Sequence, residues 1–288
     1  MHSKIRLGIS SCLMGEKVRY DGAHKFNPFL VNTLGEYVDY VPVCPEYECG
    51  LGIPREAMRL EGDPLSPRLM TNRTKVDIVE RMLAWCQTRV GELEKEDLQG
   101  FIFKSRSPSS GMERVKVYNE KGMPVQKGVG LFARAFMDHF PLIPVEEDGR
   151  LNDPGLRENF IERIFAFRDW RKTVERGKSR ANLIGFHSRY KLLLLSHSEK
   201  HVREMGRLVA AAKQYSPTAL YGRYLELFSA GLMLKATVKK NVNVLQHIMG
   251  FFKTLLSADE KQELLEVIDQ YAQRYIPLIG PITLLNHY

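Results

Sequence analysis

The spacing of the apolar residues changes near residue 150, and this change constrains the fold more than any other feature. Before it, short runs typical of strands lie at residues 5–9, 38–43 and 101–104. Amphipathic stretches typical of helices lie at 74–93, where Thr74 is a candidate N-cap, and at 131–140. Strands that alternate with helices favour a largely parallel sheet under helical cover. We therefore predict an N-terminal α/β domain over residues 1–150.

The rest of the chain has helical periodicity and no convincing strand before residue 275. Asp153-Pro154 has the pattern of an N-cap followed by proline at the first helical position. Ser257 followed three residues later by Glu260 is typical of a capping box. Further amphipathic stretches lie at 183–195, 199–213, 218–234, 238–256 and 258–274. These patterns predict a C-terminal all-α domain over residues 151–288.

Positive charge is concentrated in the second region. The chain has a formal net charge of +8, and residues 151–288 contain 21 Lys and Arg against 13 Asp and Glu. Charge asymmetry of this kind indicates a polyanionic partner, and solvated helix faces are the alternative. Trp170 and Phe167 lie at core spacing nearby and are expected to be buried. The densest basic run contains Arg171, Lys172, Arg176, Lys178 and Arg180.

Reactive side chains follow each of the three predicted strands directly. The carboxyl ends of parallel strands meet at one edge of a sheet, where ligands bind. The three segments, at residues 11–25, 44–56 and 104–111, are therefore expected to form one pocket. The candidate functional residues in them are Cys12, Asp21, Lys25, Cys44, Glu46, Cys49, Arg55, Ser107, Ser109 and Ser110.

Three of the four cysteines lie in these segments. Cys12, Cys44 and Cys49 offer soft thiolates, which select iron–sulfur clusters, zinc or Cu(I) over hard cations. Three protein ligands leave a metal position open for substrate, whereas four close the site. The alternative interpretation is that these three cysteines are buried structural thiols. Cys86 lies on the apolar stripe of a predicted helix and is expected to be a core residue.

The same segments resemble the thiouracil desulfidase (TudS-like) family over residues 4 to about 146. That family has a cysteine loop after the first strand, a Cys-Pro-Glu motif, here residues 44–46, and a Ser-Pro-Ser-Cys-Gly motif, here residues 107–111. The second half resembles the YbgA-like domain at residues 186–191, 241–247 and 281–288. The combination is similar to two-domain bacterial desulfidases that act on 4-thiouridine in tRNA.

The resemblance implies a [4Fe-4S] cluster held by three cysteines, with the fourth iron free of protein ligands. Cys12 and Cys44 match two ligand positions. The third family cysteine falls at Ser110, so Cys49 is the replacement that we expect. Ser110 itself is a weaker alternative because its alkoxide is a hard donor with a high proton affinity, and loss of the cluster is a third possibility.

The resemblance also implies roles for the polar residues. Glu46 is the candidate general base for the water that attacks the ring carbon, and Ser109 orients that water or the pyrimidine. The residues expected to bind the base and phosphate edges of the substrate are Asp21, Lys25, Arg55 and Ser107.

We therefore expect a desulfidase that converts 4-thiouridine in tRNA to uridine and hydrosulfide, without net electron transfer, while the open iron binds the thiocarbonyl sulfur. The basic run from Arg171 to Arg180 would contact tRNA phosphates. Two alternatives remain: a desulfidase of free thiouracil, and a non-catalytic RNA-binding or redox-sensing protein with a zinc or thiol site. The sequence has no apolar run long enough for a membrane span and few cysteines, so we expect a cytoplasmic protein.

Overall fold

The computed structural model describes residues 4–252 and 254–288, which form two compact units. One unit ends at Asp169 and the other begins at Trp170. The division falls inside a helix that begins at Pro154. The first part of that helix belongs to the first unit, because its residues Phe160 and Ile164 pack into the core around the first strand. The predicted fold class, an α/β region followed by an all-α region, is confirmed.

The first unit contains two four-stranded sheets. The first sheet is entirely parallel, and the second joins two antiparallel pairs through one parallel contact. The order of the first sheet is β2-β1-β5-β8 and that of the second is β4-β3-β6-β7, with β1 (Ile5–Ser10), β2 (Val38–Val43), β3 (Met58–Asp63), β4 (Ser66–Thr71), β5 (Gly100–Phe103), β6 (Val115–Tyr118), β7 (Pro124–Gly128) and β8 (Val145–Glu147).

Three predicted strands are confirmed as β1, β2 and β5, and the whole second sheet was not predicted. The helices of this unit are α1 (Pro45–Glu48), α2 (Val79–Leu93) and α3 (Leu131–His139). The predicted start of α2 at Thr74 is wrong, because Asp77 still bridges to Met70 of β4. The Thr74 hydroxyl donates to Glu56 instead of capping the helix.

Apolar side chains cover both faces of the parallel sheet. On one face, Leu7 and Ile9 of β1 belong to a core cluster with Phe160 and Ile164. On the other, Phe101 and Phe103 of β5 lie with ring centroids 4.4 Å apart and contact the aromatic rings of α3. Gly8 is required here, since a Cβ at that position would lie 2.1 Å from the Phe101 ring.

The second unit is helical. Its helices, the first of which starts in the preceding unit, are α4 (Pro154–Glu175), α5 (Arg180–His197), α6 (Glu199–Ala210), α7 (Pro217–Met233), α8 (Val238–Phe251), α9 (Ala258–Ala272) and α10 (Ile279–His287). Trp170 and Phe167 are buried as predicted, and the Trp170 ring stacks on Tyr224 at 5.3 Å. None of the helices within the described residues is both long and apolar enough to cross a membrane.

Candidate active site at the carboxyl edge of the parallel sheet

All four parallel strands deliver a reactive loop to the same edge of the sheet. β1 leads into a short 3₁₀ helix that contains Cys12, and β2 leads into Cys44, the N-cap of α1. β5 is followed by the loop from Lys104 to Ser110, which we call the serine loop. β8 ends at Glu147, directly before Asp148. The predicted convergence of the first three segments follows from the parallel pairing of their strands.

These loops enclose a cavity of about 330 Å³. Of the residues selected from the sequence, those that line it are Cys12, Lys25, Cys44, Glu46, Arg55, Ser107 and Ser110. Asp21 does not line it: this exposed carboxylate accepts from the Ala23 backbone N–H at 3.1 Å within a turn. Cys49 also lies outside the lining. The structure therefore brings two of the three predicted thiols together, with Ser110 beside them.

Glu46 lies at the centre of the polar contacts in the cavity. Its Oε1 accepts a hydrogen bond from Ser109 Oγ, and Ser107 Oγ lies 3.5 Å from the same oxygen. The two serine hydroxyl oxygens are 2.9 Å apart. The other carboxylate oxygen lies 3.6 Å from Cys44 Sγ and 3.8 Å from Arg55 Nη2. Ser109 is fully buried and does not line the cavity. It contacts the site through its hydrogen bond to Glu46.

Burial makes the cavity thiols weaker acids than an exposed cysteine. Removal from water, together with the nearby Glu46 carboxylate, raises the pKa of Cys12 to about 11 and that of Cys44 to about 12. A metal ion would have to displace these protons, because thiolates are the ligating form.

The serine loop is fixed by backbone hydrogen bonds to the start of α3. The N–H groups of Phe132 and Ala133 donate to the Ser109 carbonyl at 2.8 and 3.1 Å. A Cβ at Gly130 would lie 2.5 Å from that carbonyl carbon and oxygen, so only glycine allows this approach. The helix N-terminus thereby satisfies its free N–H groups with the loop that carries the site.

Two features of the site were missed in the sequence. The first is the partner of Lys104, which lines the cavity and belongs to a predicted pocket segment: its Nζ lies 2.9 Å from Asp148, which follows a strand that was not predicted. The apolar residues before Glu146 were a signal for that strand. The second feature is the Glu48 carboxylate, which accepts from the Cys44 backbone N–H at 2.7 Å and pairs with Arg89 at 3.0 Å. It holds the turn in which Cys44 lies.

Cys49 lies on the α2 side of its turn. Its Sγ is 3.4 Å from the Glu46 carbonyl oxygen, and its own carbonyl accepts from Arg81 Nε at 2.6 Å. Burial and the proximity of Cys49 raise the pKa of Cys86 to about 12. Cys86 is buried on α2, as predicted. Within the described residues, no three His, Cys, Asp or Glu side chains are grouped to hold a metal ion.

The basic run predicted in the second unit differs in exposure along its length. Arg176, Lys178 and Arg180 are exposed, whereas Arg171 and Lys172 are half-buried. Lys178 and Arg180 line a surface depression beside Tyr215. The Arg180 guanidinium also donates to the Ala212 carbonyl at 3.2 Å.

Comparisons with known proteins give a family match for each half of the chain. Residues 7–148 match the family described as 2-thiouracil desulfurase, and residues 191–288 match DUF1722, a family of unknown function. The uncharacterized protein YbgA of Escherichia coli (strain K12) is 34% identical over 132 residues, which cover 46% of this chain and 78% of that protein.

A solved structure of the [4Fe-4S]-dependent thiouracil desulfidase TudS is 25% identical and covers 54% of this chain and 97% of its own, with a TM-score of 0.44. On the family matches and the identity to YbgA, the chain belongs to the family of YbgA and is a two-domain, thiouracil desulfidase-like protein.

Proposed function

We propose that this protein removes sulfur from a thiolated pyrimidine, and that its substrate is 4-thiouridine in tRNA, which becomes uridine with release of hydrosulfide. The observation that carries the proposal is the meeting of Cys12, Cys44 and Glu46 at one cavity. The match of residues 7–148 to 2-thiouracil desulfurase supports a thiouracil-type substrate. The domains expected from the sequence, 1–150 for chemistry and 151–288 for RNA binding, are part of the proposal.

The donors in the cavity fit an iron–sulfur cofactor. Two buried thiols line the same cavity, and soft sulfur ligands suit iron–sulfur clusters. Cys12 and Cys44 would hold a [4Fe-4S] cluster, whose open iron supplies a soft Lewis acid for the thiocarbonyl sulfur when the cluster is bound.

Glu46 has the position of a general base. Ser109 and Ser107 orient one carboxylate oxygen, while the other oxygen lies beside Cys44 Sγ. We assign Glu46 to take a proton from the water that attacks the ring carbon and to return it to the departing sulfur. One C–O bond forms as the C–S bond breaks, so the step requires no electron donor.

The cavity also has the charges expected for an anionic substrate. Lys25 and Arg55 line it together with the Ser107 hydroxyl, and we assign these residues to hold the base and its phosphate. Lys104 is a further candidate, which Asp148 holds in place through an ion pair. The exposed Asp21 is the weakest member of the predicted set, because it lies in a turn outside the lining.

The second unit is proposed to bind the tRNA backbone. Arg176, Lys178 and Arg180 are exposed within the most basic part of the chain, and such side chains bind phosphates with an affinity that falls steeply as salt rises. No sequence-specific readout is needed, since RNA is recognised largely through shape and accessible bases.

The catalytic assignment is tested by Glu46→Gln in anaerobically prepared full-length protein. We expect desulfidation of thiolated tRNA to fall by roughly 10²–10⁴-fold, the usual contribution of a general base, with unchanged iron content. Glu36→Gln, at an exposed carboxylate, is the matched control. Full activity of Glu46→Gln would remove this residue from the mechanism.

The substrate assignment is tested by comparing thiolated tRNA with free thiouracil. A triple Ala variant of Arg176, Lys178 and Arg180 should lose activity on tRNA and its salt dependence while retaining activity on the free base. Replacement of the exposed Lys121 and Lys127 by Ala is the control. Equal use of both substrates by every variant would favour the free base. RNA binding without iron or turnover would favour the non-catalytic alternative.

A further inference from the structure

One aromatic ring lies in the wall of the cavity. Of the described residues that line it, only Tyr20 is aromatic. We propose that the planar pyrimidine of the substrate stacks on this ring, so that Tyr20 is the residue that selects an aromatic base. This inference deepens the proposed function, because it assumes a pyrimidine substrate.

The Tyr20 ring is open to a ligand. It is 41% exposed, whereas Phe101 and Phe103 of the same unit are buried against each other. Within the described residues, the Tyr20 hydroxyl makes no hydrogen bond. The guanidinium carbon of Arg19 lies over the ring, 5.4 Å from its centroid. The other face of the ring is left for a planar ligand, and an aromatic face of this kind is a stacking surface for a base.

The turn that contains Tyr20 is fixed by its own contacts. The Arg55 backbone N–H donates to the Tyr20 carbonyl at 2.8 Å, and the Gly22 N–H donates to the Arg19 carbonyl at 3.0 Å. Gly22 has a φ of 72°, which favours glycine. The Asp21 carboxylate lies 3.7 Å from Arg19 Nε and holds the guanidinium beside the ring. A ring that is pre-organised in this way loses little conformational freedom when it binds a base.

The charged groups of the wall cannot by themselves select a base. Lys25, Arg55 and Lys104 can attract an anionic ligand of any shape. Stacking adds the missing distinction, because it requires a planar ring with a π surface. It does not require a hydrogen bond from the ring, so the Tyr20 hydroxyl should be dispensable.

The test compares two ligands on the full-length protein. Binding of uridine and of dihydrouridine, whose saturated ring is not planar, is measured by titration calorimetry. The variants are Tyr20→Phe, Tyr20→Leu and the matched control Tyr37→Leu, at an exposed tyrosine outside the cavity lining. Thermal unfolding and the desulfidation of 4-thiouridine by anaerobically prepared protein are measured for the same variants.

We expect the wild type to bind uridine about 10–100-fold more tightly than dihydrouridine, as the loss of one aromatic–base stack implies. Tyr20→Phe and Tyr37→Leu should retain this preference, whereas Tyr20→Leu should lose it without a change in unfolding temperature. Tyr20→Leu should also raise KM for 4-thiouridine and leave kcat nearly unchanged, because the base is stacked equally in the ground state and the transition state.

The inference is overturned if Tyr20→Leu keeps the wild-type preference or if Tyr20→Phe loses it. It is also overturned if the wild type binds the two ligands equally or binds neither. Wild-type protein that prefers uridine but releases no sulfide from any thiolated pyrimidine would overturn the proposed activity, while the stacking surface stands.

Discussion

The helices of the two units begin in different ways. In the second unit, α5, α6, α7, α8 and α9 each follow a Ser or Thr whose side chain accepts a backbone N–H of the first turn. In the first unit, α1 and α3 have no such side-chain cap, and α3 bonds to the serine loop instead. At α2 the Asp77 carboxylate accepts the Val79 backbone N–H at 3.0 Å. Helix starts are thus local in the second unit, whereas the start of α3 also supports the candidate active site.

The largest expected effect comes from a methyl group at the contact between α3 and the serine loop. Gly130→Ala places a Cβ within 2.5 Å of the Ser109 carbonyl, so the loop must move. We expect a stability loss of about 1–3 kcal/mol from overpacking. We also expect a fall in activity of about 100-fold, since displacing Ser109 misplaces Glu46. Unfolding curves and desulfidation rates measure the two effects.

The matched control is Gly185→Ala within α5. A Cβ there meets no atom within 4 Å. This change should stabilise the protein by about 0.5–1 kcal/mol, the usual difference between Ala and Gly inside a helix, and leave activity unchanged. If both alanine variants behave alike, the proposed link between α3 and the site is wrong.

A second acceptor, on β8, holds the backbone just after the serine loop. The buried Glu147 carboxylate accepts the Met112 backbone N–H at 2.6 Å. Glu147→Ala leaves that N–H without its acceptor and should lower the free energy of unfolding by about 1–3 kcal/mol. Glu147→Gln keeps an acceptor and is the control. Denaturant unfolding measures both, and equal stability of the two variants would contradict a role for this hydrogen bond.

The same carboxyl group predicts a pH dependence. Burial raises the pKa of Glu147 in the folded protein above its value in the unfolded chain. The folded state therefore binds this proton more tightly, and the stability that this provides is lost as pH rises through the folded pKa. Glu147→Gln carries no titrating proton, so its stability relative to wild type should increase with pH over that window. A constant difference would argue against the shift.

The smallest effect is expected from a local cap in the second unit. Ser216 accepts the Ala219 backbone N–H at 3.3 Å at the start of α7. Ser216→Ala should lower the free energy of unfolding by about 1 kcal/mol, the typical value for a lost N-cap. Ser216→Asp should retain most of that stability, because aspartate is also a good N-cap. Desulfidation of free thiouracil should not change in either variant, which separates this helix start from that of α3.

The same contrast explains what the sequence could predict. Ser257 and Glu260 form the full capping box because all the groups involved lie within four residues, and that helix was predicted. The meeting of Cys12, Cys44 and Glu46 at one cavity was predicted because each follows a strand of one parallel sheet. The second sheet, β8 and the Lys104–Asp148 pair depend on contacts between distant residues, for which a single sequence has weak signals.

Cys49 and Ser110 show that spacing along the sequence does not by itself predict which side chains meet at the cavity. Cys49 is five residues from Cys44 and has the preferred donor, yet the turn after α1 places it beside Arg81. Ser110 is distant in sequence, and parallel pairing of β1 with β5 brings its loop beside Cys12. Donor chemistry can be read from residue type, but the side of a turn on which a thiol lies depends on tertiary structure.

The attachment of the serine loop has a consequence for how such a site can diversify. Its backbone is held by main-chain hydrogen bonds to α3 and by the Ser107 hydroxyl, and none of these contacts uses the Ser110 side chain. A lineage could exchange one donor atom for another at this position by a single codon change, with no reconstruction of the scaffold. The donor atom that this position presents to the cavity is then inherited separately from the fold.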